Sequence, residues 1–419
     1  MTLVRTSLLN STAVTVRVAG ALVLNKILAV YVGPAGYATI GQFQNVVSIL
    51  NSLAGGVVVI GVTKLTAQHF DNETKQHAVW QTAVRSSLVA SLVLGISLLL
   101  FGSTLSQWLL HRTDMNSVFV WLALSLPAMA ANNLLLAITN GKKEVGSYVS
   151  ANILGSLLAV LVTGGLTLGF GLYGALVAFV ISPATGLLAT GALIARRSWF
   201  STRFLNGRID RAALKELFGF GIMGFTSALA IPITYMLIRN HLTEKVGLEG
   251  AGYWQAIFKV SELYLSLITS TLSVYYLPRL AEIRTSFDLR CEITKVYRFV
   301  MPVVTVSAAV IFLLKDFIIS TLFTANFSPM REMFGWQLIG DVLKMGSFVP
   351  AYIMLGRGLV KHFVITEIVF CATFYLLTYG LVGRLGLQGV ALAFAVNSAL
   401  YWLCMVILMR KEVYRMDSV

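Results

Sequence analysis

Apolar runs of about twenty residues recur along this chain from one end to the other. Twenty residues of helix rise about 30 Å, the thickness of a bilayer's hydrocarbon core. That match fixes the solvent in which the chain folds. Composition agrees: 57% of the residues are hydrophobic and 12% charged, against about 25% charged in an ordinary soluble domain. The longest connection, 196–216, is too short for a soluble domain. The pattern predicts an all-α polytopic membrane protein with twelve spans: 6–32, 36–61, 79–103, 117–140, 148–170, 174–195, 217–241, 251–277, 296–314, 332–355, 362–382 and 389–409. The breaks carry turn chemistry, as in "VGPAGY" (32–37), "NGKKEVG" (140–146), "GLYG" (171–174) and "GLQG" (386–389). The first run is longer than a signal-peptide core and flows into further spans, so it counts as a span.

Lys and Arg set the orientation. With both termini cytoplasmic, inner segments hold 21 of the 32 basic residues and outer loops hold six. Most of the formal charge of +14 is then topology and headgroup anchoring, with no need of a nucleic acid.

The halves resemble each other. "VGPAGYATIGQF" (32–43) follows span 1 and "VGLEGAGYWQAIF" (246–258) follows span 7; "GLYGALVAFVIS" (171–182) opens span 6 and "GLQGVALAFAVN" (386–397) opens span 12. Six spans separate the copies, an even number, so the repeat is parallel, a transporter architecture. The expected organisation is an N-terminal six-helix lobe 1–195, a cytoplasmic basic linker 196–216 and a C-terminal six-helix lobe 217–419.

Polar residues inside the spans fall at helical spacing. Span 8 carries Gln255, Lys259, Glu262, Ser266, Thr269 and Ser273; span 2 carries Gln44, Asn45, Ser48, Asn51 and Ser52; span 1 carries Thr6, Asn10 and Arg17; span 10 carries Gln337, Asp341 and Lys344. An unpaired charge at mid-membrane costs about 2.5–3.5 kcal/mol on insertion scales. Lys259–Glu262 and Asp341–Lys344 are spaced as i,i+3 pairs, which lowers that cost. Such stripes can line a water-filled cavity, or join helices by hydrogen bonds. Arg17 lies mid-span with no adjacent acid. Lys26 and Arg239 lie nearer the outer ends, where a cavity role competes with snorkelling or anchoring at the interface.

Catalytic signatures are missing. "GFGIMG" (219–224) sits inside an apolar span without a preceding strand, so it is no dinucleotide loop; there is no phosphate-binding P-loop, no metal-ligand spacing among the five His, and three Cys make no disulfide framework. The chain reads as a transporter rather than an enzyme, and no cofactor or metal is expected. Asp341 offers a place for a coupling proton or monovalent cation.

"GPAGYATIGQF" after span 1, "GVTKLTAQHFDN" (61–72) and "WQLIGDVLKMG" (336–346) resemble the Wzx-type lipid-linked oligosaccharide flippases of the multidrug/oligosaccharidyl-lipid/polysaccharide exporter superfamily, in the O-antigen and enterobacterial-common-antigen branch. The resemblance covers nearly the whole chain. It implies a V-shaped, two-lobed bacterial inner-membrane protein that moves an undecaprenyl-diphosphate-linked oligosaccharide from the cytoplasmic to the periplasmic leaflet by alternating access. Membrane lipids surround it, and polysaccharide polymerase and chain-length regulator are the expected partners of a monomer. Such a cargo asks for cations at its diphosphate, here Arg17, Lys259 and Lys344, and for amides at its sugar hydroxyls, here Gln44, Asn45, Asn51, Gln255 and Gln337. Lys26, Arg239, Glu262 and Asp341 complete the candidate binding set. Trp254 and Trp336 are expected in an interfacial belt or stacked on sugars. The alternative on the same fold is a drug/cation antiporter, which would favour unpaired acids.

Overall fold

The structure is a computed structural model that describes residues 3–414 apart from 111, 113, 198, 202–206, 208, 284 and 357. The side chains of Thr6, Asn10 and Ser273, three members of the expected stripes, lie outside the described residues. All regular structure among the described residues is helical.

The helices are α1 (Leu3–Asn51), α2 (Val57–Gln68), α3 (Glu73–Leu110), α4 (Asn116–Gly141), α5 (Val145–Ile194), α6 (Arg211–Glu282), α7 (Ser286–Leu313), α8 (Lys315–Leu322), α9 (Phe334–Gly356), α10 (Val360–Leu385) and α11 (Leu387–Tyr414). A single π-turn, Ser52–Gly56, joins α1 to α2, and a 3₁₀ segment, Ala325–Met333, precedes α9. Among the described residues, nine stretches are long and apolar enough to cross a membrane. Three of them are broken internally by a glycine at positive φ: Gly33 in α1, Gly171 in α5 and Gly247 in α6. Each of the three is therefore two spans, which makes twelve.

The breaks also repeat in backbone conformation. Gly33 has φ 67, ψ −177, and Gly247 has φ 83, ψ 166. Gly171 has φ 55, ψ −132, and Gly386 has φ 57, ψ −135. These are left-handed conformations that residues with a Cβ avoid. Beyond the second pair the packing repeats as well. A Cβ on Gly174 would overlap the carbonyl of Leu166, and one on Gly389 would stand 2.6 Å from the carbonyl of Leu381.

Several helices overrun the apolar bounds. α7 begins at Ser286, ahead of span 9, because Thr285 caps it: its hydroxyl accepts from the Asp288 amide at 3.1 Å. Hydropathy registers the lipid-facing part of a helix and misses such capped, charged extensions.

By internal contacts the chain forms two compact units, 1–32 with 39–232, and 33–38 with 233–419. In the first, α4 is central and packs on α2, α3 and α5. Its core joins Val62, Leu65, Trp80, Leu134 and Ile138 to Leu217 from the first turns of α6. Gly61 makes room for that approach, since a Cβ there would meet Leu217 at 2.9 Å. In the second unit α9 is central and packs on α7, α10 and α11, over a core that includes Tyr276, Val300, Met345, Val349 and Met405.

Candidate functional site

The second unit places a carboxylate at its centre. Asp341 on α9 is fully buried. One oxygen accepts from the Ser261 hydroxyl at 2.6 Å and the Tyr264 hydroxyl at 2.9 Å, both on α6. The other accepts from Gln337 Nε2 at 3.3 Å, one helical turn earlier. That nitrogen also reaches Ser261 Oγ at 3.2 Å. A lone buried carboxylate is costly, and hydrogen bonds to it offset the lost hydration. Gln337 Oε1 is buried with no partner among the described residues, so an acceptor is left over beside the carboxylate.

This corrects one expectation. Among the described residues no ion pair within 4.0 Å joins Asp341 to Lys344. Lys344 is half-buried, and its Nζ stands 5.5 Å from the centre of the Phe394 ring on α11. Gly340 permits that approach, because a side chain there would collide with Phe394. Sequence spacing made Lys344 the obvious partner. The hydroxyls of a neighbouring helix took the position instead.

Lys259 and Glu262 do pair, at 2.6 Å, with Glu262 exposed. Their stripe and the Ser261–Tyr264 face are neighbouring strips of α6, one carrying an exposed ion pair and the other facing α9. The lower hydroxyls of the stripe bond into their own helix: Ser266 to the carbonyl of Leu263 and Thr269 to that of Leu265. Arg239 is buried rather than anchored at an interface. It donates to Gln255 Oε1 at 2.5 Å and lies 5.4 Å from the Trp254 ring. Trp254 is therefore core, a correction to its expected interfacial or sugar-stacking place, whereas Trp336 is exposed.

In the first unit Arg17 is exposed, and Lys26, Gln44 and Asn45 are half-buried. Asn45 Nδ2 is buried without a partner among the described residues. Asn51 accepts from Asn133 Nδ2 at 3.1 Å, and the adjacent Asn132 accepts from Thr190 at 2.7 Å. The π-turn begins at the residue after Asn51. Such turns are rare and concentrate at functional sites. Ser261, Tyr264 and Asn133 are the contacts that sequence reasoning missed. Their residue types are ordinary in helix packing, and only the facing helix reveals them.

A helical membrane protein of twelve spans, with charges and amides held inside the spans, belongs to the transporter class. Solved structures agree on the fold. An inward-facing MATE family transporter of the MOP superfamily superposes with a TM-score of 0.81, covering 97% of this chain and 99% of that one at 17% identity. A MOP superfamily transporter from Pyrococcus furiosus gives 0.72, with 97% and 96% coverage and 17% identity. The family model described as polysaccharide biosynthesis protein matches residues 27–332. Over 403 residues the chain is 30% identical to the Lipid III flippases of Escherichia coli (strain K12) and Shigella flexneri, covering 96% of this chain and 97% of each of them. The chain belongs to this polysaccharide biosynthesis protein family, whose relatives here are flippases rather than catalysts.

Proposed function

We propose that the protein is a flippase for an undecaprenyl-diphosphate-linked oligosaccharide of the lipid III type. It carries its cargo from the cytoplasmic to the periplasmic leaflet of the inner membrane by alternating access, with both termini cytoplasmic. The observation that carries this reading is the full-length match to the two Lipid III flippases. The chemistry of the spans fits an anionic, hydroxyl-rich headgroup: the cations Arg17, Lys26 and Lys259 and the amides Gln44 and Asn45 are exposed or half-buried. Asn51, Arg239, Gln255 and Gln337 are already engaged by protein partners and act by holding the helices. The lobes 1–195 and 217–419, joined by the linker 196–216, are the moving parts, with the first turns of α6 at Leu217 staying packed in the N-terminal core. Asp341, with its three donors and one spare acceptor nearby, is the group that takes up a coupling proton or monovalent cation. Likeness to the multidrug resistance MATE family transporter, at 17% identity, concerns the fold alone. Purified protein in liposomes should move a fluorescent lipid-linked oligosaccharide across the bilayer. Failure there, with efflux of a cationic drug instead, would replace this reading with the antiporter.

A further inference from the structure

The connection between the two repeats is tied down near both of its ends. Its first turn docks on Glu144, just ahead of α5. Trp199 Nε1 donates to Glu144 Oε1 at 2.5 Å, and Arg197 Nε pairs with Glu144 Oε2 at 3.1 Å. Ser147 Oγ donates to the same Oε2 at 3.0 Å and accepts from Arg197 Nη2 at 2.7 Å, so Glu144, Arg197 and Ser147 close a ring. The Trp199 ring stands edge-on to that of Trp80, 6.0 Å away, against the core of the first unit. Farther along, Arg85 Nη1 on α3 donates to the Gly207 carbonyl at 2.8 Å. The Asp210 amide donates to Thr82 Oγ1, also on α3, at 3.0 Å. A Cβ on Gly207 would overlap the Gln81 side chain, so the backbone there lies directly against α3. Asp210 then caps α6, its Oδ1 accepting from the Ala212 amide at 2.8 Å.

The turn that carries Glu144 is itself fixed. Lys143, the residue before it, has φ 60, a left-handed conformation that a residue with a Cβ keeps where its surroundings impose it. The Lys143 ammonium stands 5.1 Å from the Phe70 ring, and that of Lys142 stands 5.5 Å from the Trp80 ring. The amides of Lys143 and Glu144 close the end of α4 on the carbonyls of Asn140 and Thr139, at 2.9 and 3.1 Å. A connector built to swing would hold few such bonds, since segments that move draw on the least stable parts of a fold. This one leads into α6, whose Ala213 and Leu217 lie in the core of the same unit. From there the chain passes to the second unit after residue 232, inside α6 and not in the connection.

We propose that 196–210 is a strap of the first unit, clasped by Glu144 at one end and by Thr82 and Arg85 at the other, and that it stays docked through the transport cycle instead of serving as a flexible joint. Glu144 is the positioning residue, because its one carboxylate takes both the Arg197 guanidinium and the Trp199 indole. The docking is independent of what the protein carries. Its persistence during transport rests on the flippase reading.

A disulfide tests the strap. A Cβ on Gly207 would stand 2.8 Å from Gln81 Cγ, within reach of a bond between cysteines at the two positions. The full-length protein, with Cys291, Cys371 and Cys404 replaced by Ser, carries Gln81→Cys and Gly207→Cys. In liposomes, oxidation should join the pair, and the joined protein should translocate a lipid-linked oligosaccharide as fast as the reduced protein. Trypsin cleavage after Arg197 is followed in parallel by mass spectrometry. Glu144→Ala should speed it about tenfold, the weight of a charge-assisted bond in the opening equilibrium. Glu144→Gln keeps the acceptor for Trp199 and should fall between wild type and Glu144→Ala. A monodisperse size-exclusion peak confirms that each variant is folded, and Glu144→Gln decides the comparison where Glu144→Ala does not fold. A disulfide that does not form, one that stops translocation until it is reduced, or wild-type cleavage as fast as in the folded Glu144 variant would overturn the strap. Absence of translocation in the reduced protein defeats the flippase reading instead, and the disulfide and the Arg197 cleavage then decide the docking by themselves.

Discussion

The partner of Asp341 can be decided by double-mutant cycles. The structure gives Asp341 hydrogen bonds from Tyr264 at 2.9 Å and Ser261 at 2.6 Å, and no ion pair with Lys344. Tyr264→Phe deletes one donor and leaves the ring. Hydrogen bonds to charged groups contribute about 1.5–3 kcal/mol in soluble proteins. Within membranes, measured side-chain couplings average about 0.6 and reach about 1.7 kcal/mol, because the unfolded chain also finds partners there. The expected coupling of Tyr264→Phe with Asp341→Asn is therefore about 1–2 kcal/mol. Lys344→Met with Asp341→Asn should couple by less than the Tyr264 cycle does, because Lys344 acts on Asp341 through space without an ion pair. The assay is reversible unfolding of the purified protein in mixed micelles, read by tryptophan fluorescence, for the four members of each cycle. If Lys344 couples to Asp341 more strongly than Tyr264 does, the hydroxyl cage is the wrong account and the ion pair is restored.

Four further outcomes follow from the same geometry. The exchanged variant Asp341→Lys/Lys344→Asp should not accumulate as folded protein, because the new lysine would enter a site built of donors; wild-type abundance on a membrane immunoblot would contradict this. Arg17→Ala should abolish translocation at near-normal abundance, and Arg17→Lys should keep part of it, since Lys binds phosphate without the bidentate fork; full activity in Arg17→Ala takes Arg17 out of the site. Gly174→Ala and Gly389→Ala should both lose folded yield, whereas Gly165→Ala, with nothing within 4 Å, should not; fluorescence-detected size exclusion compares the three. Cys291, with the other two cysteines replaced, should resist a membrane-impermeant maleimide applied to intact spheroplasts, and strong labelling would reverse the orientation.

The sequence disclosed the parts of this protein that depend on one residue at a time. Apolar runs mark spans because lipid tolerates little else. Glycines mark the breaks because at Gly33, Gly171, Gly247 and Gly386 the backbone is left-handed. The ion pair Lys259–Glu262 was legible because both partners sit on one helix face. Contacts that depend on two helices were not legible. Ser261 and Tyr264 lie on the strip of α6 next to the one that spacing picked out, and they matter only because α9 brings Asp341 against them. Arg239 and Trp254 looked like interfacial residues by type and depth, yet they are closed into the second unit around Gln255.

The repeat makes that division informative about mechanism. The glycine breaks share dihedral angles across the two halves, and in each unit one central helix, α4 or α9, is wrapped by its neighbours. The frames are alike, but their polar interiors differ. α4 carries the amides Asn132 and Asn133, joined to Thr190 and Asn51. α9 carries the carboxylate Asp341, held by hydroxyls and an amide. Amides have no charge to gain or lose across the physiological range, whereas a carboxylate can bind a proton or a cation. An ion-driven step at Asp341 would therefore act on the second unit. Asp341→Asn should then remove any pH or sodium dependence of transport, while Asn133→Ala should change the rate and leave that dependence in place. Transport rates across a pH series in liposomes, for wild type and both variants, separate the two roles. A pH profile that survives in Asp341→Asn would move the coupling ion to another residue.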